Sequence, residues 1–334
     1  MTELTYRLLR ADEADDLVEF VRSIYGDSYP SDIFCDAGAI RSAIASKRLF
    51  CGVAIDVDGR IVGHLATQLD RPGEVTGDGI TGMVAPEARG QSVVSRLAGP
   101  LFAVHEEHGI VGLHLYPVTN HDITQRRIAD NGGVVTGLLL YDWPADVSMA
   151  GFSTDALRGR MPMLMMYFPF GRLPTRVVHL PAVYADALGS IYEQLSLAGQ
   201  SRIVGGADPS IDVGTSQVEE IVKRRQGTRC LRFHQIGDDW SARLDDAQSR
   251  LDATPAQYVD VTLSSQCSGA VVDSLREQSW FFGGLILERA GTDFVRMQRG
   301  GDPPSSTDLR LCESGQEMHD FVIADRSKVG VGQA

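Results

Sequence analysis

The sequence predicts an α/β protein with mixed sheets, built as two related halves in tandem. Three observations carry that reading. Short apolar strands alternate with amphipathic helices along the first half. A strand from Asp78 to Val84 runs through Pro86 into an Arg89-Gly90 loop and straight into a helix. The segment NGGVVTGLLL at Asn131 to Leu140 aligns without gaps on QSWFFGGLIL at Gln278 to Leu287, sharing a glycine and three following apolar positions.

Taken in order, Tyr6 to Arg10 alternates as a strand, and Asp12 stands where a helix N-cap is expected before the apolar face of Ala14, Leu17, Val18 and Val21. Tyr25 to Phe34 is a Gly-, Ser-, Asp- and Pro-rich loop with aromatics embedded in it. A short helix is expected at Ile40 to Ile44. Leu49 to Val57 and Ile61 to Gln68 form a hairpin about Asp58-Gly59, because that dipeptide fits a tight turn between apolar runs. After the Asp78 strand come a helix from Val93 to about His108, a strand at Gly112 to Val118, a helix at Asn120 to Asn131 and a strand from Val134 to Tyr141. Gly132-Gly133 stops that last helix.

The second half repeats part of the plan. Thr175 to Leu197 reads as strand then helix, Tyr258 to Leu263 as a strand, Gly269 to Gln278 as a helix and Gly283 to Glu288 as a strand. Val177, Val178, Leu188, Ile191, Val259, Val261, Leu285 and Ile286 are its expected core. MPMLMMYFPF before Gly171 to Pro174 is a closing strand, so the domains are placed at 1–171 and 172–300, with a turn-rich tail at 301–334.

The bulk composition narrows the function. A net charge of −13 without a basic stripe argues against a nucleic-acid partner. Lys223-Arg224-Arg225 is a short cluster suited to a solvated face. A spanning helix needs about twenty apolar residues, and none occurs, so no membrane partner is expected. The N-terminus turns acidic without an apolar signal core, which reads as a cytoplasmic protein. Cys35, Cys51, Cys230, Cys267 and Cys312 are scattered without metal-ligand spacing, so reduced thiols and no metal are expected.

The chemistry concentrates at Val84 to Val94. A helix N-terminus presents unpaired backbone N–H groups and the positive end of its dipole, which suit a diphosphate. Gly90 and Ser92 are small enough to let phosphate oxygens reach that backbone.

Here the chain resembles the GCN5-related N-acetyltransferase (GNAT) superfamily, whose fourth strand leads into an Asp-Pro-x-x-Arg-Gly-x-Gly-x-Gly run. Pro86, Arg89 and Gly90 match, while Ala85, Ser92 and Val94 depart from it. The resemblance implies the GNAT fold, in two tandem GNAT-like copies, and acetyl-CoA or another acyl-CoA as co-substrate. It assigns Met83 and Val84 to the pantetheine arm and Arg89, Gly90, Gln91, Ser92, Val93 and Val94 to the pyrophosphate. Asn120 matches an Asn that borders the coenzyme, and it also suits a helix N-cap. The implied reaction is acyl transfer to the amine of a small molecule. A non-catalytic acyl-CoA sensor, a carrier-protein thioester donor and malonyl-CoA decarboxylation are the alternatives.

In the family a tyrosine four residues before a Gly protonates the leaving thiolate. Counting back from Gly132 gives Ile128, which has no proton to donate. Tyr116, His121 and Tyr141 stand nearby as replacement donors, each with a structural reading beside it. Asp78 lies nearest the family's general base, with a turn at Gly77-Asp78-Gly79 as the competing reading. Tyr25, Asp27, Tyr29 and Phe34 lie in the loop that walls the acceptor site in the family; they serve equally well as anchors of that loop. His64, in mid-strand, reads as a core histidine. The second half has no counterpart of the phosphate loop: His234 to Trp240 carries Asp238 and Asp239, which repel a diphosphate. That copy is therefore expected to be non-catalytic, and a homodimer is compatible with the sequence.

Overall fold

The computed structural model describes residues 3–147, 159–197, 202–211, 213–301 and 308–329. The chain divides into two compact units, 1–115 with 145–156, and 116–144 with 157–334.

The first unit is α/β, as expected. Its elements are β1 (Thr5–Leu8), α1 (Ala14–Tyr25), α2 (Ala37–Ala45), β2 (Leu49–Ile55), β3 (Ile61–Gln68), β4 (Thr76–Val84), α3 (Val93–His108) and β5 (Gly112–Leu115). The sheet order is β1-β2-β3-β4-β5, antiparallel throughout except for the parallel pair β4–β5 joined by the α3 crossover. Gly59 turns the β2–β3 hairpin with φ +81°, a conformation glycine adopts without strain. At Gly63 a Cβ would stand 2.5 Å from Val93 Cγ1, so the missing side chain is what lets α3 seat on β3. Asp12 does not cap α1. It lies inside a 3-10 turn; Glu13, at the N-cap position of α1, makes no side-chain bond to that helix and instead closes the 3-10 turn by accepting the Arg10 amide at 2.9 Å while binding the Arg7 guanidinium.

The second unit holds α4 (Ile123–Asp130), β6 (Val134–Trp143), β7 (Met161–Pro169), β8 (Arg176–Val178), α5 (Ala185–Leu197), β9 (Arg202–Val204), β10 (Gln217–Lys223), β11 (Thr228–Gln235), α6 (Trp240–Asp252), β12 (Ala256–Thr262), α7 (Ser268–Glu277), β13 (Phe281–Arg289), β14 (Thr292–Gly300) and α8 (Glu313–Val329). Its sheet runs β7-β6-β13-β14-β12-β11-β10. The strand–helix–strand step β11–α6–β12 is parallel, like β4–α3–β5. The hairpins β6–β7 and β13–β14 meet through Gly137 and Gly284.

Four features differ from the sequence reading. The expected join near Gly171 to Pro174 falls inside the second unit, because the β6–β7 hairpin pairs with β13. Strand β5 ends at Leu115 rather than Val118. The strand opening the second half, β8, pairs in parallel with β9 in a separate ribbon, and this leaves Val177 half exposed instead of in the core. Residues 313–329, placed in the turn-rich tail, form α8; residues 302–307 of that tail lie outside the described residues.

Two buried side chains fix α8. Gln125 on α4 donates through Nε2 to the carbonyls of Val118 and Arg310 and accepts the Cys312 amide at 3.0 Å. Farther along, Asp325 accepts from the Tyr184 hydroxyl and the Phe282 amide, both at 2.8 Å, and pairs with Arg276.

Candidate active site

The site is built on β4. This strand pairs with β5 only over Thr76 to Gly79, against Gly112 to Leu115. Beyond Leu115 no strand among the described residues of the first unit pairs with the β5-side edge of β4 from Ile80 to Val84. On the other edge the β3 ladder skips, with Thr81 and Gly82 together opposing Leu65. This is a β-bulge, and Thr81 takes φ +58° within it. Pairing resumes with Met83 opposite His64 and Val84 opposite Gly63. The Ala85 amide bonds the Val62 carbonyl, so by the alternation of an antiparallel ladder Val84 directs its backbone groups to the uncovered edge. Its carbonyl there accepts Arg89 Nε at 3.3 Å.

After Val84 the chain turns through the Pro86–Ala88 3-10 turn and reaches Arg89, Gly90, Gln91 and Ser92. Gly90 has φ +78°, and nothing lies within 4 Å of where its Cβ would be. Ser92 precedes α3 in the left-handed conformation, φ +55°, and its side chain makes no capping bond. The sixteen-residue α3 therefore opens with amides that its own N-cap side chain leaves uncapped. Val93 is buried against the sheet, and Val94 is partly exposed beside it.

Asp78 lies in mid-strand, opposite Gln68 on β3 and His114 on β5, so the turn reading gives way to a strand. It shares one face of the sheet with Ile80, by the period-2 alternation of a strand. Tyr25, Tyr29 and Phe34 are buried, which is the anchoring arrangement. Their rings stand in series with His64: 4.6 Å from Tyr25 to Tyr29, 6.5 Å on to Phe34, and 5.2 Å on to His64. Burial pushes the Tyr25 phenol up to about 12, with the Arg89 guanidinium pulling the other way. The Arg89 guanidinium thus lies near enough to act on Tyr25, a proximity that sequence spacing does not reveal. Asp27 is solvent-exposed and pairs with Arg22 at 3.3 Å.

Tyr116, Asn120, His121 and Tyr141 belong to the second unit. The Asn120 Oδ1 is enclosed without a hydrogen-bond partner. Asn120 does not cap α4, whose N-cap is Asp122. Burial lowers the His121 pKa against the pull of Asp122. Tyr141 is buried in β6. Ile128, where the family has its tyrosine, packs its Cγ2 and carbonyl against Gly133.

In the second unit the corresponding strand–helix turn is filled by the chain itself. Asp239, at the start of α6, accepts the Ser216 amide at 2.6 Å and pairs with Arg243, while the Gly237 amide bonds Ser216 Oγ. A Cβ at Gly237 would stand 2.2 Å from the Gly214 carbonyl oxygen.

Solved structures similar to this chain are N-acetyltransferases. A GCN5-related N-acetyltransferase from Kribbella flavida is 17% identical, the match covering 50% of this chain and 97% of that one with a TM-score of 0.35. The ribosomal-protein-S18-alanine N-acetyltransferase from Escherichia coli is 15% identical over 52% and 97%, with a TM-score of 0.37. The PaiA N-acetyltransferase from Thermoplasma acidophilum, in complex with coenzyme A, is 11% identical over 50% and 99%, with a TM-score of 0.35. No family model and no curated protein matches the sequence. Among the described residues no three His, Cys, Asp or Glu are grouped to hold a metal ion, and no helix is long and apolar enough to cross a membrane.

Proposed function

We propose that the first unit binds an acyl-coenzyme A and transfers its acyl group to the amine of a small molecule. The observation that carries this reading is the continuous path from the uncovered edge of β4, through Arg89 and Gly90, to the N-terminus of α3. On this reading the amides from Gly90 to Val94 hold the pyrophosphate with Arg89 beside them. Met83 and Val84 line the pantetheine arm, and the Val84 backbone faces it.

Transfer then needs a deprotonated amine. Asp78 is the carboxylate placed on β4 to take that proton, directly or through a solvent molecule. The amine nitrogen attacks the thioester carbonyl carbon, the C–N bond forms, and the C–S bond breaks to release the thiolate, which takes up a proton. For the donor of that proton, Tyr116 and His121 are candidates by their proximity in sequence, and Asn120 beside the coenzyme is supported by the resemblance. The second half serves as a non-catalytic copy, a reading favoured by the occupied turn before α6.

Calorimetry with acetyl-CoA on the full chain should give one site, and Arg89→Ala should weaken it. Two equivalent sites would overturn the assignment. A thiol-release assay with acetyl-CoA and a panel of amines tests turnover. Coenzyme binding without thiol release from any amine would favour a sensor, a reading the apolar Ile128 also permits.

A further inference from the structure

Among the described residues, the second unit's sheet stops where the first unit's sheet goes on. In the first unit β3 is antiparallel to β4, and β2 and then β1 lie beyond it. In the second unit β10 stands to β11 as β3 stands to β4, since β11–α6–β12 repeats the parallel β4–α3–β5 step. No described strand lies beyond β10, for β8 and β9 pair with each other in their separate ribbon. A strand paired on one side only turns the N–H and C=O of alternate residues outward, a template for another strand. Proline, a bulge or charge commonly blunts such an edge. β10 (QVEEIVK) has no proline, and its register shift lies at its start, between Gln217 and Val218. From Val218 to Lys223 charge alone guards the edge.

We propose that this edge is the surface on which two copies of the chain associate, by antiparallel pairing of β10 with β10 centred on Ile221. Glu219, Ile221 and Lys223 share one face by the period of two. With Ile221 opposite Ile221, Glu219 of each copy falls opposite Lys223 of the other, twice over by the two-fold symmetry. Because outward groups alternate, compatible registers differ in steps of two. The next one on one side sets Glu220 against Glu220, and the next on the other leaves only Ile221 to Lys223 of the strand in overlap. The match of charge is therefore to a second β10 in one register, which is what singles out a copy of this chain as the occupant.

The remaining charges of the strand agree with this pairing. Glu220 is already held by Arg229 and Arg250 of its own chain, so it brings no bare charge to the edge. Glu219 meets His234 Nε2 at 2.9 Å within the chain. Lys223 is exposed, with no ion pair among the described residues, and is the charge that the pairing satisfies. Val222, 42% exposed on the other face, gains the aliphatic stem of Glu220 from the second copy as its neighbour. Opposite charges directly across a strand pair attract, and like charges there are destabilising. One short strand pair falls below the roughly 1,200–2,000 Å² of stable interfaces, so the dimer exchanges with monomer.

Sedimentation of the full chain over a range of concentrations tests the pairing. The wild type should show a monomer–dimer equilibrium that weakens as salt rises, and amide exchange in β10 should slow as the dimer fills. Lys223→Glu sets glutamates against each other at two symmetric positions and should weaken association about tenfold or more. Glu219→Lys does the same with lysines. Mixed in equal amounts, the two variants restore a Glu–Lys pair at both positions, so they should associate with each other more tightly than either does with itself. Lys223 is exposed, so its substitution should leave the melting temperature unchanged. A wild type that stays monomeric throughout, leaving the edge to solvent or to another protein, overturns the proposal. So does a dimer that Lys223→Glu leaves unaltered, or a mixture that associates no better than its components.

Discussion

Gly137 on β6 and Gly284 on β13 are Cα partners across an antiparallel pair, and they are the same position of the two aligned segments, NGGVVTGLLL and QSWFFGGLIL. Each glycine therefore meets its own counterpart. A Cβ at Gly137 would stand 2.3 Å from the Gly283 carbonyl oxygen and 2.4 Å from the Gly284 Cα, whereas one at Gly284 would press chiefly on the flexible Met165 side chain. The obstruction at Gly137 is backbone, which cannot step aside. Gly137→Ala should lower the unfolding free energy by about 3 kcal/mol, the upper end of ordinary overpacking. Gly82→Ala, whose Cβ would meet only Leu65 Cδ1 at 3.7 Å, is the comparison and should change it far less. Urea denaturation of the two variants checks the contrast.

Gly90 and Ser92 share a left-handed backbone but differ in what they should do when exchanged. Gly90→Val puts a β-branched residue at φ +78° with no protein atom nearby, so the effect on folding is conformational strain alone, of roughly 1–2 kcal/mol. Blocking phosphate approach should weaken acetyl-CoA binding by more than that. Ser92→Gly should leave stability within about 1 kcal/mol and keep binding. Paired thermal-melt and calorimetric measurements would refute the phosphate-loop reading if Gly90→Val bound coenzyme as the wild type does.

Acid should destabilise the native chain before its carboxylates titrate. Burial pushes His64 down to about 3 and His105 to about 4, from an ordinary 6.5. Between those values the unfolded chain binds protons that the native chain refuses, so stability falls as pH drops through that window. The slope is about 1.4 kcal/mol per pH unit for each group. Asp260 adds its own loss only lower: burial works against its charge, but Arg296 and Arg232 hold it at about 2. Denaturation at pH 7, 6 and 5 should show a steady fall, and His64→Phe should make it shallower. A flat profile over that range would count against neutral buried rings.

Asp325→Ala should be the most damaging single change in α8. It strips three partners at once, leaving the Phe282 amide, the Tyr184 hydroxyl and the Arg276 guanidinium without their acceptor. Removing one member of a buried pair typically costs about 3–5 kcal/mol. Asp325→Asn, which keeps an acceptor oxygen, should lose less. Hydrogen exchange at the amides of α8 reports whether the helix detaches locally or the whole unit unfolds.

What the sequence shows and what it hides divides along physical lines. Ile61 to Gln68 is read to the residue, and the helix from Val93 to about His108 agrees with α3, because each has a clean apolar period and an unambiguous turn at its start. Strand β14 escapes because it buries Asp293 and Gln298 and carries the half-buried Arg296 in ion pairs and hydrogen bonds, which breaks the apolar run by which a buried strand is recognised. Strand β10, QVEEIVK, carries too many charges to stand out. Helix α8 escapes because its buried positions include Gly315, His319 and Asp325 as well as Val322. At the site, the Arg89-Gly90 loop is legible because a strand, a proline and a helix start are contiguous. The bulge is not, since Thr81 stands where glycine is the usual signal, and the approach of Tyr25 to Arg89 depends on folding the chain back over sixty residues.

The clasp between Gln125 and the start of α8 has a consequence for how the protein is made. Gln125 and Arg310 are 185 positions apart, so the Arg310 carbonyl and the Cys312 amide that complete the bonds of the Gln125 side chain come from chain still untranslated when α4 leaves the ribosome. Until then Gln125 Nε2 has only the local Val118 and His121 carbonyls, and its Oε1 waits without the Cys312 amide. The nascent α4 segment, however good its local signals, thus completes its bonding only when residues 310–312 arrive within the same unit. A ribosome stalled anywhere between these two points should display a protease-sensitive turn at 118–125 that the released protein does not.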